Sequence, residues 1–147
     1  MASSTSTQKK VIKTNLQDCK IIEIPSIKDP RGTIGVVEHD VIPFETKRVY
    51  YLYDVPSDAS RGGHAHINLC QFLIPVSGSF DVILHDGEIH KKVTLNKPNK
   101  GLLITSGIWR ELENFSAGSV CLVLASAVFE EADYIRDFNE FKLRKAR

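Results

Sequence analysis

The sequence predicts an all-β sandwich or barrel with one short C-terminal helix. Three observations carry that expectation. Short β-prone runs recur, separated by turn signals about every 8–12 residues. Alternation is strict in one stretch, where Phe80, Val82 and Leu84 point one way and Asp81, Ile83 and His85 the other. Helical spacing of apolar residues occurs only near the end, at Phe138, Phe141 and Leu143.

The elements follow in order. Residues 1–15 read as a disordered tail, since Met1-Ala2-Ser3-Ser4-Thr5-Ser6-Thr7-Gln8-Lys9-Lys10 lacks the apolar core of a secretory signal. Residues 16–147 read as one domain. Ile21-Ile22-Glu23-Ile24 is a short strand signal. Asp29-Pro30-Arg31-Gly32 is turn chemistry, because Pro presets φ and Gly permits a positive φ. Thr33 to Glu38 reads as a strand. Arg48-Val49-Tyr50-Tyr51-Leu52-Tyr53 is rich in β-branched and aromatic residues, with Tyr50 at an inward position of the alternation. Gly62-Gly63 leads into His64-Ala65-His66. The apolar run Phe72 to Val76 stops at Ser77-Gly78, and His85-Asp86-Gly87-Glu88 supplies an Asp-Gly hairpin turn. Lys91 to Leu95 returns as its partner strand, followed by the loop Asn96 to Gly101. Leu102 to Ile104, Trp109 to Phe115 and the apolar stretch Val120 to Val128 complete the strands. Asp137 to Ala146 is the helix.

Composition bounds the function. The chain has 147 residues, enough for one core without disulfide staples. Lys plus Arg number 19 and Asp plus Glu 18, a formal charge of +1, which argues against general binding of nucleic-acid polymers. No apolar run approaches the roughly 18–20 residues of a membrane-spanning helix. Cys19, Cys70 and Cys121 are odd in number and widely spaced, so they read as buried, reduced thiols of a cytoplasmic protein.

The sharpest chemical signal is His64-Ala65-His66. On a strand, i and i+2 share a face with Cα atoms roughly 6.5–7 Å apart. This H-x-H, followed by Gln71 and Gly78, resembles the first motif of the cupin superfamily, H-x-H-(x)4-E-(x)6-G, with Gln71 in place of Glu. Thr105-Ser106-Gly107-Ile108-Trp109-Arg110-Glu111-Leu112-Glu113-Asn114 resembles the second, P-x-G-x-x-H-x-x-x-N, with Thr105 for Pro and Arg110 for His. The resemblance implies a jelly-roll barrel. The departures bear on its chemistry. Arg carries only donors and cannot ligate a metal. Two imidazoles alone rarely hold one tightly. No metal is expected.

Further motifs narrow the resemblance. Pro43-Phe44 with Lys47-Arg48-Val49-Tyr50-Tyr51, Arg61-Gly62-Gly63-His64-Ala65-His66, Gly101-Leu102 with Trp109-Arg110-Glu111, Leu124-Ala125-Ser126 and Ala132-Asp133-Tyr134-Ile135-Arg136 together resemble the sugar 3,4-ketoisomerase family, from about Cys19 to Phe141. That family acts on dTDP-4-keto-6-deoxy-D-glucose in deoxyamino-sugar biosynthesis, forms homodimers and uses no cofactor. By this resemblance His64 is the base. His66 assists proton shuttling or orients the sugar, and Tyr50 hydrogen-bonds the substrate. Arg110 sits near the sugar oxygens. Arg31 and Arg48 contact the ring or pyrophosphate, since Arg forks match phosphate geometry. Gln71 hydrogen-bonds substrate or a histidine. A dTDP-linked keto sugar is thus the expected ligand, and a second copy of the chain the expected partner, paired through an edge strand. Two rivals stand beside this reading: a cupin-like sugar-nucleotide 3,5-epimerase and a non-catalytic sugar-binding cupin. Arg61 reads as a loop anchor, Trp109 as core, and His39, His85 and His90 as solvated.

Overall fold

The computed structural model describes residues 12–145. Its strands in chain order are β1 (Lys20–Glu23), β2 (Ser26–Asp29), β3 (Gly32–Gly35), β4 (Arg48–Tyr53), β5 (Arg61–His66) and β6 (Gln71–Ser77). They continue as β7 (Phe80–His85), β8 (His90–Leu95), β9 (Lys100–Ile104), β10 (Trp109–Glu113), β11 (Val120–Ala125) and β12 (Tyr134–Ile135), followed by helix α1 (Phe138–Lys145). Two antiparallel five-stranded sheets form, in the orders β1-β9-β6-β11-β4 and β12-β5-β10-β7-β8. The β2–β3 hairpin stands apart as a third, two-stranded sheet.

Alternation explains how the sheets pack. Leu73, Leu102, Ile104, Cys121 and Val123 of the first sheet meet Phe80, Val82, Leu84 and Leu112 of the second in one buried cluster. Burying such rows removes apolar surface from water at about 25 cal/mol per Å². The next residue along each strand faces outward, so both outer faces need cover. Phe72, Ile74, Leu103 and Leu124 lie under Ile24, Ile42 and Phe44. Trp109 and Ile135 lie under Phe141 of α1, together with Ile12.

Element bounds differ from the sequence expectation where side chains compete with the ladder. The strand expected over Thr33 to Glu38 is confined to Gly32–Gly35, paired with a strand at Ser26–Asp29 that the sequence did not single out. The run expected to reach Val128 stops at Ala125, after which Ser126 Oγ accepts from the Cys70 N–H at 2.9 Å. Asn114 takes φ 57° and ends β10 two residues before Phe115's expected bound.

The expected tail reaches into packed structure. Ile12 is buried and its N–H bonds to the Arg144 carbonyl at 3.3 Å. The Thr14 hydroxyl donates to the Ser106 carbonyl at 2.6 Å. Asn15 caps the turn Leu16–Asp18. Ordered chain therefore begins no later than Ile12, and residues 1–11 lie outside the described residues.

One glycine is fixed by this packing. Gly107, between β9 and β10, has φ 76°, and a Cβ there would strike Ile12 and Thr14. Its N–H donates to the His66 carbonyl at 2.6 Å and its carbonyl accepts from Lys145 Nζ at 2.9 Å. The turn that launches the Arg110 strand is thus tied to β5 and to the end of α1. Among the described residues no helix is long and apolar enough to cross a membrane.

Candidate active site

Strand register assembles the site. In the second sheet β5 lies between β12 and β10, so Tyr134 is the Cα partner of His66 and Arg110 the partner of His64. A register shift follows between Arg110 and Glu111. In the first sheet β11 separates β4 from β6, and Arg48, Tyr50 and Leu52 alternate inward against outward Val49, Tyr51 and Tyr53. The inward position expected for Tyr50 is the one observed.

Between the sheets lies a cavity of about 330 Å³. Its polar lining is Arg48, Tyr50, Arg61, His64, Gln71, Arg110, Tyr134 and Arg136, over an apolar floor of Leu52, Leu73, Leu112 and Val123. Among the described residues, four arginines line it and no carboxylate does. That concentration of cations is invisible in a whole-chain charge of +1.

Arg110 is the anchor. It is 1% exposed and crosses between the sheets. Its Nη1 donates to Gln71 Oε1 at 2.6 Å, while Nε and Nη2 donate to the Ile108 carbonyl at 3.3 and 3.1 Å. Gln71 Nε2 in turn donates to the Tyr50 hydroxyl oxygen at 3.0 Å. Burial pulls the guanidinium down to about 10, which still leaves it charged at neutral pH. Burial raises the Tyr50 phenol, which is therefore a neutral donor. Arg48 lies 4.6 Å above the Tyr50 ring, a cation–π contact that fixes both at the wall.

The two histidines occupy different environments. His64 lines the cavity. His66 is 1% exposed and is not among the lining residues. The rings meet edge to face at 4.8 Å between centroids. His66 Nδ1 lies 3.2 Å from Asp133 Oδ2. Burial, then the nearby charges of Arg110 and His64, push His66 down to about 2. Its contact with Asp133 is accordingly a hydrogen bond from a neutral ring, with Nδ1–H donating. Asp133 also accepts from the backbone N–H groups of Asn68 and Leu69 at 2.8 and 3.2 Å, which pins the segment after β5. His66 thus stands behind the lining residues, between Asp133 and the ring of His64.

Other expected residues divide likewise. Tyr50, Arg48, Gln71 and Arg110 meet at the cavity with His64. Arg31 does not. It sits at the tip of the β2–β3 hairpin, 90% exposed, paired with Asp29 at 2.7 Å. In the sequence Tyr134 and Arg136 belong to a motif that assigns them no role, and Arg61 reads as a loop anchor. All three line the cavity. The signal was present in the i, i+2 spacing of Tyr134 and Arg136 around buried Ile135, the pattern that had flagged the histidines. Arg136 lies 4.1 Å over the Tyr134 ring and pairs with Glu131 through two 2.9 Å bonds. Among the described residues no group of three or more His, Cys, Asp and Glu is placed to hold a metal ion.

Comparisons with known proteins bear on the family and the fold. A family model described as "FdtA: WxcM-like, C-terminal" matches residues 17–146. A TDP-4-oxo-6-deoxy-alpha-D-glucose-3,4-oxoisomerase from Aneurinibacillus thermoaerophilus is 43% identical over 124 residues, covering 84% of this chain and 89% of the relative. The crystal structure of a 3,4-ketoisomerase from Helicobacter canadensis superposes with a TM-score of 0.83 at 46% identity, over 86% of this chain and 96% of that one. The sugar 3,4-ketoisomerase QdtA from Thermoanaerobacterium thermosaccharolyticum, solved with TDP, gives 0.87 at 38% identity, over 90% of this chain and 97% of that one. A histidine-to-asparagine mutant of QdtA has been solved with TDP-4-keto-6-deoxyglucose. A match spanning nearly the whole chain, together with relatives of this similarity, means that the protein belongs to the family described as FdtA: WxcM-like, C-terminal.

Proposed function

We propose that this protein is a TDP-sugar 3,4-ketoisomerase that moves the carbonyl of dTDP-4-keto-6-deoxy-D-glucose from C4 to C3. The observation that carries this reading is the cavity wall itself, where His64 and the buried cation Arg110 are register partners on adjacent strands. The reaction needs a base for the C3 proton and a positive partner for the enediolate. An imidazole is suited to the first task and a preorganised, dry guanidinium to the second. The existing C4 carbonyl acidifies the C3 proton, so the isomerisation is redox-neutral overall.

His64 takes the C3 proton and returns it to C4. Arg110, held by Gln71 and the Ile108 carbonyl, faces the developing negative charge. Gln71 also orients Tyr50, which leaves the phenol proton for a substrate oxygen. Arg48, Arg61 and Arg136 supply the cations for a nucleoside diphosphate. His66 acts through its packing against His64, held in turn by Asp133.

A second copy of the chain completes this reading. The β2–β3 hairpin exposes Ile27 at 60% and Ile34 at 61%, and a lone two-stranded hairpin is marginal in water. The edge strand β4 presents Val49, Tyr51 and Tyr53 outward. The reading is a homodimer that covers both surfaces, in which Arg31, exposed and outside its own chain's cavity, serves the partner's. The three free cysteines support the reducing cytoplasm as its compartment.

Incubation with dTDP-4-keto-6-deoxyglucose in heavy water tests the function by NMR. The expected product carries its ketone at C3, and trapping with an aminotransferase reads its C4 configuration. A ketone retained at C4 with deuterium at C3 and C5 indicates a 3,5-epimerase. Binding without exchange indicates a sugar-binding cupin.

A further inference from the structure

Arg61 and His64 both line the cavity from β5. In a regular strand this is impossible, because residues three apart point to opposite faces. Counting back from His66 and His64 by twos reaches Gly62 and leaves Arg61 on the outer side. The register shows how the conflict is resolved. His64 is the Cα partner of Arg110, Gly62 of Glu111 and Arg61 of Leu112. Two steps along β10 thus match three along β5, and Gly63 is the extra residue. Arg110 and Leu112 line the cavity, so their partners His64 and Arg61 face it too. Glu111 between them points to the outer face, where it accepts from Trp109 Nε1 at 3.0 Å.

The backbone at Gly63 has φ 55°, in the left-handed region that glycine enters freely. An insertion of this kind, with glycine left-handed at the extra position, is a bulge that re-aims the side chains beyond it. Packing does not dictate the glycine, since a Cβ at 63 would meet nothing within 4 Å. Its backbone angle does. A regular ladder continued from the His64–Arg110 pair would set Arg61 opposite Glu113 and turn it outward. There the carboxylate of Glu113 would receive the guanidinium, so the regular ladder is a competing arrangement.

We propose that Gly63 is a positioning residue for substrate binding: its left-handed bulge turns Arg61 to the face of His64, where Arg61 meets the diphosphate. The proposal rests on the ketoisomerase reading above and adds the backbone device that one of its arginines depends on. His64 lies on the near side of the bulge and keeps its pairing with Arg110 in either ladder. Loss of the bulge therefore removes a binding cation and leaves the base in place.

A double-mutant cycle tests this, with TDP affinity measured by calorimetry. Arg61→Met keeps the stem and removes the charge, and is expected to weaken TDP about tenfold. Gly63→Val disfavours a positive φ and should weaken TDP by the same factor, with the loss appearing in KM rather than in kcat. The double variant should also lose only about tenfold, because both changes remove one interaction. Gly63→Asn, close to Val in size but tolerant of a left-handed backbone, should recover affinity to within about threefold of the parent. Losses that multiply to about a hundredfold overturn the proposal, as does Gly63→Val binding TDP as the parent does. A Gly63→Asn variant as weak as Gly63→Val overturns it as well. Should the Val variant fail to fold, Gly63→Ala, which adds only the Cβ, carries the same cycle. A parent that forms no 3-keto product overturns the ketoisomerase reading itself. A parent that turns over while the two losses multiply overturns only the role of Gly63.

Discussion

Replacing His66 with Gln tests the electrostatics of the site through stability. Burial holds the folded-state pKa of His66 at about 2, against an ordinary 6.5 in the unfolded chain. The sign follows from linkage. Below pH 6.5 the unfolded chain binds a proton that the folded chain refuses until about pH 2. Stability is thus full above the unfolded value and declines by about 1.4 kcal/mol per pH unit beneath it. Between pH 7.5 and 5.0 the loss due to this ring is about 2 kcal/mol. An ion pair with Asp133 at 3.2 Å predicts the opposite, since it raises the folded pKa and adds stability as pH falls. Urea unfolding followed by Trp109, the single tryptophan, measures the difference. With a slope of about 1–3 kcal/mol per molar urea, the parent midpoint should fall about 1 M further than that of His66→Gln over this pH range. His85, also pushed down by burial, is present in both proteins and cancels. Equal slopes, or an imidazole resonance of His66 protonating near pH 6, would refute the argument.

Three further outcomes follow from the same geometry. Gln71→Leu removes the 2.6 Å acceptor of a buried guanidinium and the 3.0 Å donor to Tyr50, and should cost about 2–4 kcal/mol of unfolding free energy, measured by urea titration. His64→Asn should lower kcat on the order of 10³-fold while TDP affinity by calorimetry changes little, because the proposed mechanism sets His64 at the sugar and the arginines at the diphosphate. Mixing His64→Asn with Arg31→Ala after co-refolding should restore up to about a quarter of parental activity if Arg31 serves the partner's cavity, since half of the mixed dimer's sites are then intact. Restoration should be absent if Arg31 serves its own chain.

The site combines a base with cations where the related metal motif would place carboxylate and imidazole ligands. Gln71 and Arg110 make the difference. A Glu at position 71 would offer a charged ligand, but a neutral amide instead offers one acceptor to Arg110 and one donor to Tyr50. The same two substitutions thus remove metal ligands and build a polar relay across the sheets. Burial of Arg110 is tolerated because three of its nitrogens have acceptors within 3.3 Å.

Much of this was legible in the chain itself. Alternation at Phe80–His85 and Arg48–Tyr53 reports local backbone geometry, so it foretold both the strands and the inward side of Tyr50. The Asp-Gly turn after His85 likewise depends on neighbours, with Asp86 Oδ1 accepting from the Glu88 and Ile89 N–H groups at 2.9 Å. The hairpin strand Ser26–Asp29 was hidden because its exposed residues alternate against nothing buried. Asp133, Tyr134 and Arg136 carried the right spacing, but a two-residue edge strand is too short to declare a period.

By itself, then, the sequence determined the all-β class, the pairing of two histidines on one strand and the exchange of metal ligands for Gln71 and Arg110. Those features are written in residue type and near-neighbour spacing. Tertiary structure alone decided that Arg110 pairs with His64, that Tyr134 joins them, that Arg31 stays out, and that His66 is neutral. Register and burial decide these, because they bring together residues tens of positions apart and set the solvation that governs charge.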